Sequence, residues 1–318
     1  MGTWKLLAWQ GVAFLLALHG TGVAYASFDL QAFHPNPSPT GFFTTEGGSL
    51  LPHLQFATAL GINYGSNPLS IDVVSDGGLR KEAGAVVAHR LDIHALASIG
   101  LFHWIEFGID MPLVILSGQD RNRLDAAQLE VPIAPLRPIG LGDIRFIPKI
   151  KIVSLAAGVL DIAFLVPFTV PSANGRAYAG DNTMTVAPAL GLSSRFLRHF
   201  RVGANVGYRV RPKEKFQSTT FDDELTFKLG LATSFGFVGQ PDLALMIDIY
   251  GTTDARDPFG LKGTSDTTSL TPVELAGGVR YLFLKHWMLQ VGLGTALTSG
   301  VGASIVRAYA SMGYMSGS

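Results

Sequence analysis

Trp287-Met288-Leu289-Gln290-Val291-Gly292-Leu293-Gly294-Thr295-Ala296-Leu297-Thr298 sorts into two faces at every second residue. Trp287, Leu289, Val291, Leu293, Thr295 and Leu297 share one face, and Met288, Gln290, Gly292, Gly294, Ala296 and Thr298 share the other. A period of two held over a dozen residues is a strand long enough to cross a bilayer at a tilt, about twice the length usual in soluble sheets. The stretch from Glu224 repeats the pattern, with Leu225, Phe227, Leu229, Leu231 and Phe235 on one face and Glu224, Thr226, Lys228 and Gly230 on the other.

The same alternation runs through windows at 52–64, 91–101, 105–115, 144–152, 158–170, 184–196, 200–210, 225–235, 243–251, 273–283, 287–297 and 306–314. Although 15% of the chain is charged, one face of every window is free of Asp, Glu, Lys and Arg. A soluble sheet exposes charge on its outer face, whereas hydrocarbon does not accept it. The predicted fold is therefore all-β, a transmembrane antiparallel up-and-down β-barrel of about 12 strands with its polar side inward.

Composition and the N-terminus agree. Residues 1–26 carry one charge, Lys5, then an apolar run from Leu6 to Leu18 and Ala24-Tyr25-Ala26 before Ser27, which is the layout of a signal peptide cleaved after Ala26. No later run reaches about 18 apolar residues, so the chain is not expected to cross a membrane as a helix. Cysteine is absent, which excludes disulfides and thiolate metal sites. Twenty-four basic residues balance 24 acidic ones without a Lys/Arg run, so nucleic acid is not an expected partner.

Tight turns with flanking aromatics fall at 101–104, 197–199, 238–240 and 284–286, and long polar loops near 118–140, 171–182, 212–222 and 253–270. Barrels of the bacterial outer membrane place short turns in the periplasm and long loops outside. That rule predicts an outer-membrane protein with both mature termini periplasmic. Residues 68–74 and the Ser75-Asp76-Gly77-Gly78 turn are counted as an extracellular hairpin over 66–84, which keeps the barrel, 49–315, at twelve crossings. Trp104, Phe196, Phe200, Phe235, Phe283, Trp287 and Tyr314 then form the periplasmic aromatic girdle against membrane lipid, with Tyr64, Phe168 and Tyr208 at the opposite interface.

Inside, the candidate lumen and constriction residues are Arg90, Asp92, Glu106, Asp110, Arg145, Lys149, Lys151, Asp161, Arg209, Glu224, Lys228, Asp248, Glu274, Arg280 and Arg307. With Asp143, Arg195, Arg201 and Arg211 they make 11 basic and eight acidic inward groups. Antiparallel register predicts Arg209 facing Glu224 and Lys228 beside Asp248, with Glu106, Lys149, Lys151 and Asp161 grouped toward the periplasmic end. Two readings stand: a mixed-charge constriction in a passive channel for small polar solutes, or ion pairs that fill the lumen of a non-conducting anchor. Segment 27–48, with His34-Pro35-Asn36-Pro37-Ser38-Pro39, is too rich in proline for a ladder strand. It is expected either as a lumenal plug or as a periplasmic tail.

His53, Ser98 and Glu106 supply the residue types of a nucleophile, base and orienter, a distant hydrolase reading. No histidine spacing predicts a metal and no cofactor is expected. A closed barrel needs no partner subunit, so a monomer is expected.

Several short segments resemble the N-terminal barrel portion of OmpA-like outer-membrane proteins. They are Pro35-Asn36-Pro37-Ser38, Gly41-Phe42-Phe43, the run from His53 to Tyr64 leading to Pro68-Leu69-Ser70, and Phe107-Gly108-Ile109-Asp110-Met111-Pro112. Gly140-Leu141-Gly142-Asp143-Ile144-Arg145, Ala187-Pro188-Ala189-Leu190 and Thr271-Pro272-Val273-Glu274 complete the set. The resemblance implies an outer-membrane location and an anchoring or pore role, and no enzyme. It does not carry cell-wall binding, because this sequence stops at Tyr314-Met315-Ser316-Gly317-Ser318, where full OmpA-like proteins continue into a peptidoglycan-binding domain.

Overall fold

The computed structural model describes residues 28–317 apart from 75–79, 127–132, 174–177, 182, 197–198, 218 and 263–269. The predicted signal peptide at 1–26 and the turn at 75–78 lie outside the described residues. The wall of the barrel consists of β1 (Phe56–Val74), β2 (Arg80–Leu101), β3 (Ile105–Ser117), β4 (Ile139–Leu141) with β5 (Ile144–Leu155), β6 (Leu160–Leu165) with β7 (Phe168–Val170), β8 (Thr185–Val186) with β9 (Ala189–Phe196), and β10 (Phe200–Arg209). A two-stranded loop ribbon follows, β11 (Glu214–Phe216) and β12 (Thr219–Phe221). The wall then resumes with β13 (Glu224–Phe235), β14 (Gln240–Asp254), β15 (Val273–Phe283), β16 (Trp287–Ala296) and β17 (Arg307–Met315).

Each crossing pairs antiparallel with the next, and β17 returns to pair with β1 from Ala57↔Met315 to Gly65↔Arg307. The ring is closed at twelve crossings, so the sheet has no exposed edge in its wall. The alternation read from sequence is the alternation of the wall: along β3, residues 106, 108, 110, 112, 114 and 116 are buried and their neighbours are not.

Three crossings are split into two named strands because proline interrupts the ladder. Pro112 accepts from the N–H of Gly142 in the β4–β5 gap (2.9 Å), Pro148 from that of Val166 in the β6–β7 gap (3.0 Å), and Pro167 from that of Ala187 in the β8–β9 gap (2.7 Å). Lacking an N–H, none can return the bond. The register is continuous from Leu165↔Ala189 to Phe168↔Val186, and it slips by one residue between Leu113↔Leu141 and Asp110↔Arg145, where β4 gives way to β5.

Residues 66–74 pair antiparallel with the chain from Arg80 to His89. They extend β1 and β2 in pairings from Ser70↔Ala85 to Val74↔Arg80, with register shifts between Ser66 and Leu69, between Leu69 and Ser70 and between Ile71 and Asp72. At the other end the turns are tight: Phe102 and His103, and Leu284 and Lys285, each hold two successive residues at positive φ, the backbone of a two-residue hairpin turn.

Aromatics ring this turn end. Phe196 stacks on Phe200 at 5.6 Å, Phe283 on Trp287 at 6.4 Å, and Trp287 meets Tyr314 edge-on at 5.5 Å. Trp104 projects from its turn, 50% exposed, and Phe235 pairs with Gln240 at the end of β13.

Candidate functional site

The lumen is occupied by the chain's own N-terminal segment. Its prolines exclude it from the ladders, so its backbone N–H and C=O groups must find side-chain partners, and the inward face of the wall supplies them. Asp248 of β14 accepts from the N–H of Thr44 (2.6 Å) and of Thr45 (3.3 Å), and Asn205 of β10 from that of Glu46 (2.9 Å). Glu106 of β3 accepts from the N–H of Leu51 at 2.6 Å. Donors reach its carbonyls in turn: Ser98 bonds Pro37 O at 3.1 Å, Arg280 bonds Pro39 O and Gly41 O at 3.1 and 2.7 Å, and Arg201 bonds Thr40 O at 3.2 Å.

Aromatic packing reinforces this. Phe42 lies against Gly203 and Gly230, a facing pair in β10 and β13. A Cβ on Gly203 would come within 2.3 Å of the ring, which is why glycine stands there. Phe33 and Phe43 pack on Tyr309, at 5.1 and 6.0 Å.

Phe28 stacks on Phe221 at 4.3 Å and meets Phe216 and Tyr178 edge-on, which places it among the long loops. Leu69, Val87, Val114, Leu116 and Leu124 join this apolar cluster. Residue 28 is therefore at the loop end and Met315 at the turn end. The expectation that both ends of the mature chain share one side does not hold in this arrangement, because Phe28 buries its ring under the loops instead of leaving the lumen.

The inward charges form local nodes. Arg307 pairs with Glu274 at 2.6 Å, Lys149 with Glu106 at 3.1 Å, and His94 bonds Asp110 at 2.7 Å. Arg209 stands opposite Glu224 with an ion pair of 3.5 Å. Lys228 is opposite Tyr250, and Asp248 faces Gly230, two residues of register from the expected pairing. Asp161 accepts from Ser49 and Ser154, and Lys151 lies opposite Ala163 at a bulge in β5. Asp92 binds Arg90 at 3.0 Å and the Asn63 amide at 3.1 Å.

Three carboxylates that period-two reading passed over complete these nodes. Asp29 pairs with Arg90 at 3.1 Å, and Glu46 joins Arg145 (2.7 Å) to Lys228 (3.0 Å). Asp181, from the loop between β7 and β8, joins Arg209 to Arg211. Burial alone would raise Asp181, but the two guanidiniums outweigh it and hold the carboxyl below its usual range. None of the three sits in a strand. The available signal was arithmetic: 11 inward basic groups against eight acidic ones leave three cations without partners.

His53, Ser98 and Glu106 are not brought together. His53 precedes β1 on the exposed rim, where its Nδ1 accepts from Phe102 N–H at 3.0 Å, while Ser98 is bonded to Pro37 and Glu106 to Lys149. The reason is register: β1 begins at Phe56, opposite Ile99, so His53 never enters the ladder.

Between the segment and the wall lies an open cavity, lined by the polar Gln31, His34, Arg145, Asn205 and Lys228 and by the apolar Leu165, Pro167, Ala187 and Ala189.

A family model described as putative MetA-pathway of phenol degradation matches residues 118–304 of this chain. No curated protein matches it. Among solved structures, it is similar to an outer membrane channel from Pseudomonas putida F1 at 14% identity, over 85% of this chain and 98% of that one, with a TM-score of 0.56. The NanC porin aligns at 8% identity over 81% and 98%, with a TM-score of 0.48. The TodX deltaS2 mutant, a monoaromatic hydrocarbon channel, aligns at 11% over 91% and 98%, with a TM-score of 0.46. The first likeness shows the barrel fold of an outer membrane channel.

The family match overturns the OmpA-like resemblance. Some of the short motifs that carried it fall where the barrel wall is interrupted: Gly142 donates to Pro112 O at 2.9 Å where β4 gives way to β5, and Ala187-Pro188 separates β8 from β9.

Proposed function

The chain belongs to the family described as putative MetA-pathway of phenol degradation, and from that premise we propose that it is a passive outer-membrane channel for small molecules. The observation that carries the reading is the lumen: a polar-lined passage in a closed, lipid-compatible barrel, crossed by a segment bonded to side chains and not built into the wall. Such a segment can leave without opening the ladder. A barrel that served only as an anchor has no use for a removable filling.

In this reading the long loops face outward, the tight turns face the periplasm and residues 28–48 act as the plug. The family's description favours small aromatic compounds bearing oxygen over general polar solutes. The ring closes within one chain, so the working unit is a monomer surrounded by outer-membrane lipid.

The test is solute flux and single-channel current in lipid bilayers, with the mature chain and with a chain lacking residues 28–48. Low current that rises severalfold on deletion, with uptake of phenol by liposomes carrying the intact protein, is the expected outcome. Silence from both, with the barrel shown to be folded, would replace the channel by the salt-bridged anchor.

A further inference from the structure

Three buried side-chain donors lack a partner and belong to residues that line this cavity between segment and wall: Gln31 Nε2, Arg145 Nη1 and Asn205 Nδ2. The residues are only 5%, 8% and 5% exposed. Buried polar atoms ordinarily find partners, so three N–H donors left open around one space describe a place for acceptor oxygens. The Asn205 amide orientation is fixed by its other end, because Oδ1 accepts from the N–H of Glu46 at 2.9 Å and of Gly47 at 3.4 Å. Its Nδ2 is then the end left without a partner. Arg145 is held likewise, with Nη2 on Glu46 at 2.7 Å and Nη1 free.

The charge at this cavity has a sign. Glu46 is the single carboxylate between Arg145 and Lys228 and neutralises one of the two. Arg209, also on the lining, shares Asp181 and Glu224 with Arg211, two cations against two anions. Among the lining groups and their ion-pair partners one positive charge is therefore left over, while Leu165, Pro167, Ala187 and Ala189, on the wall between the strands of Arg145 and Asn205, give an apolar surface. Water would satisfy the donors but would leave both the charge and the apolar wall unmatched.

We propose that this cavity is a binding subsite for a small organic acid, its carboxylate taken by Gln31, Arg145 and Asn205 and its compact apolar body laid against the Leu165–Pro167 and Ala187–Ala189 wall. A carboxylate offers enough lone pairs for three donors and cancels the excess charge, which a neutral hydroxyl does not. The proposal rests on the reading of the lumen as a solute path and names the class of solute that lingers in it.

The test is calorimetric titration of the detergent-solubilised mature chain with benzoate, and with benzyl alcohol as the uncharged analogue. Benzoate should bind saturably and at least tenfold more tightly than benzyl alcohol. Asn205→Asp keeps the acceptor that holds Glu46 and Gly47 but replaces the donor by a negative oxygen, and Arg145→Lys keeps a cation for Glu46 while removing the free Nη1. Each should weaken benzoate at least tenfold and erase most of its advantage over benzyl alcohol.

Equal affinity for the two probes overturns the subsite, and so does benzoate binding that both variants retain. Should a variant fail to fold, the comparison of probes on the unmodified protein still decides. Saturable benzoate binding in a protein that passes no solute would support the subsite while removing the channel. Flux without saturable binding would overturn the subsite alone.

Discussion

Arg307 and Glu274 are almost wholly buried, and Glu274 also accepts from Tyr250 and from the Ser304 N–H. Removing one member of such a pair strands the other, so Glu274→Ala should cost about 3–5 kcal/mol of barrel stability. Glu274→Gln keeps the shape and some of the bonds and should cost less. Denaturant unfolding in micelles checks the order, and equal losses would mean that packing rather than charge sets the value. Asp181 gives a pH test in the loop between β7 and β8. Its folded pKa lies below the ordinary 3.8, so its contribution is fully present above about that pH and is lost only as pH falls through the lower folded value. The chain has no cysteine, so a dye on Thr183→Cys reports this loop alone. It should stay docked from neutral pH to below 4 (about the unperturbed carboxylate value), whereas Asp181→Asn should loosen it throughout that range. Release near pH 6 in the parent would point to another titrating group.

At the level of elements, the wall was legible because lipid imposes one rule on every crossing: no charge on the outer face. Register then brought Arg209 to Glu224 directly. The N-terminal segment was not legible in the same way. Pro35, Pro37 and Pro39 break any period, and its partners are carbonyls and N–H groups that leave no trace in residue type. Asp29, Glu46 and Asp181 escaped for the same reason, lying in segments without alternation. The segment is nevertheless keyed to the wall by shape. Gly203→Val suits a strand but places atoms in the Phe42 ring, so it should expel residues 36–46 from the lumen while the barrel persists. Limited proteolysis should then cut the segment at least tenfold faster, and Phe42→Ala added to Gly203→Val should restore protection. Faster cutting in the double variant than in the single one would show that the slot is not what holds the segment.

For the molecule as a whole, the segment and the loop cap share one apolar cluster, and this ties the two ends of the passage together. Phe28 belongs to the segment, Phe216 and Phe221 to the β11–β12 ribbon, and Tyr178 to the loop after β7, yet their rings meet within 4.3 to 6.0 Å. Arg211 extends the tie, with its guanidinium 5.6 Å from the Phe221 ring and Asp181 on its Nη2. Loops that open therefore uncover Phe28, and a segment that withdraws leaves the ribbon without its packing. Neither movement is independent of the other. In a double-mutant cycle, Phe28→Ala and Phe221→Ala should each speed hydrogen exchange both in the ribbon and at residues 42–46. Together they should fall short of additivity by about 0.5–1.5 kcal/mol, the range for contacting aromatic rings. Strict additivity, or exchange that quickens in the ribbon while the segment stays protected, would mean that cap and plug open separately. The passage would then have two gates in series rather than one.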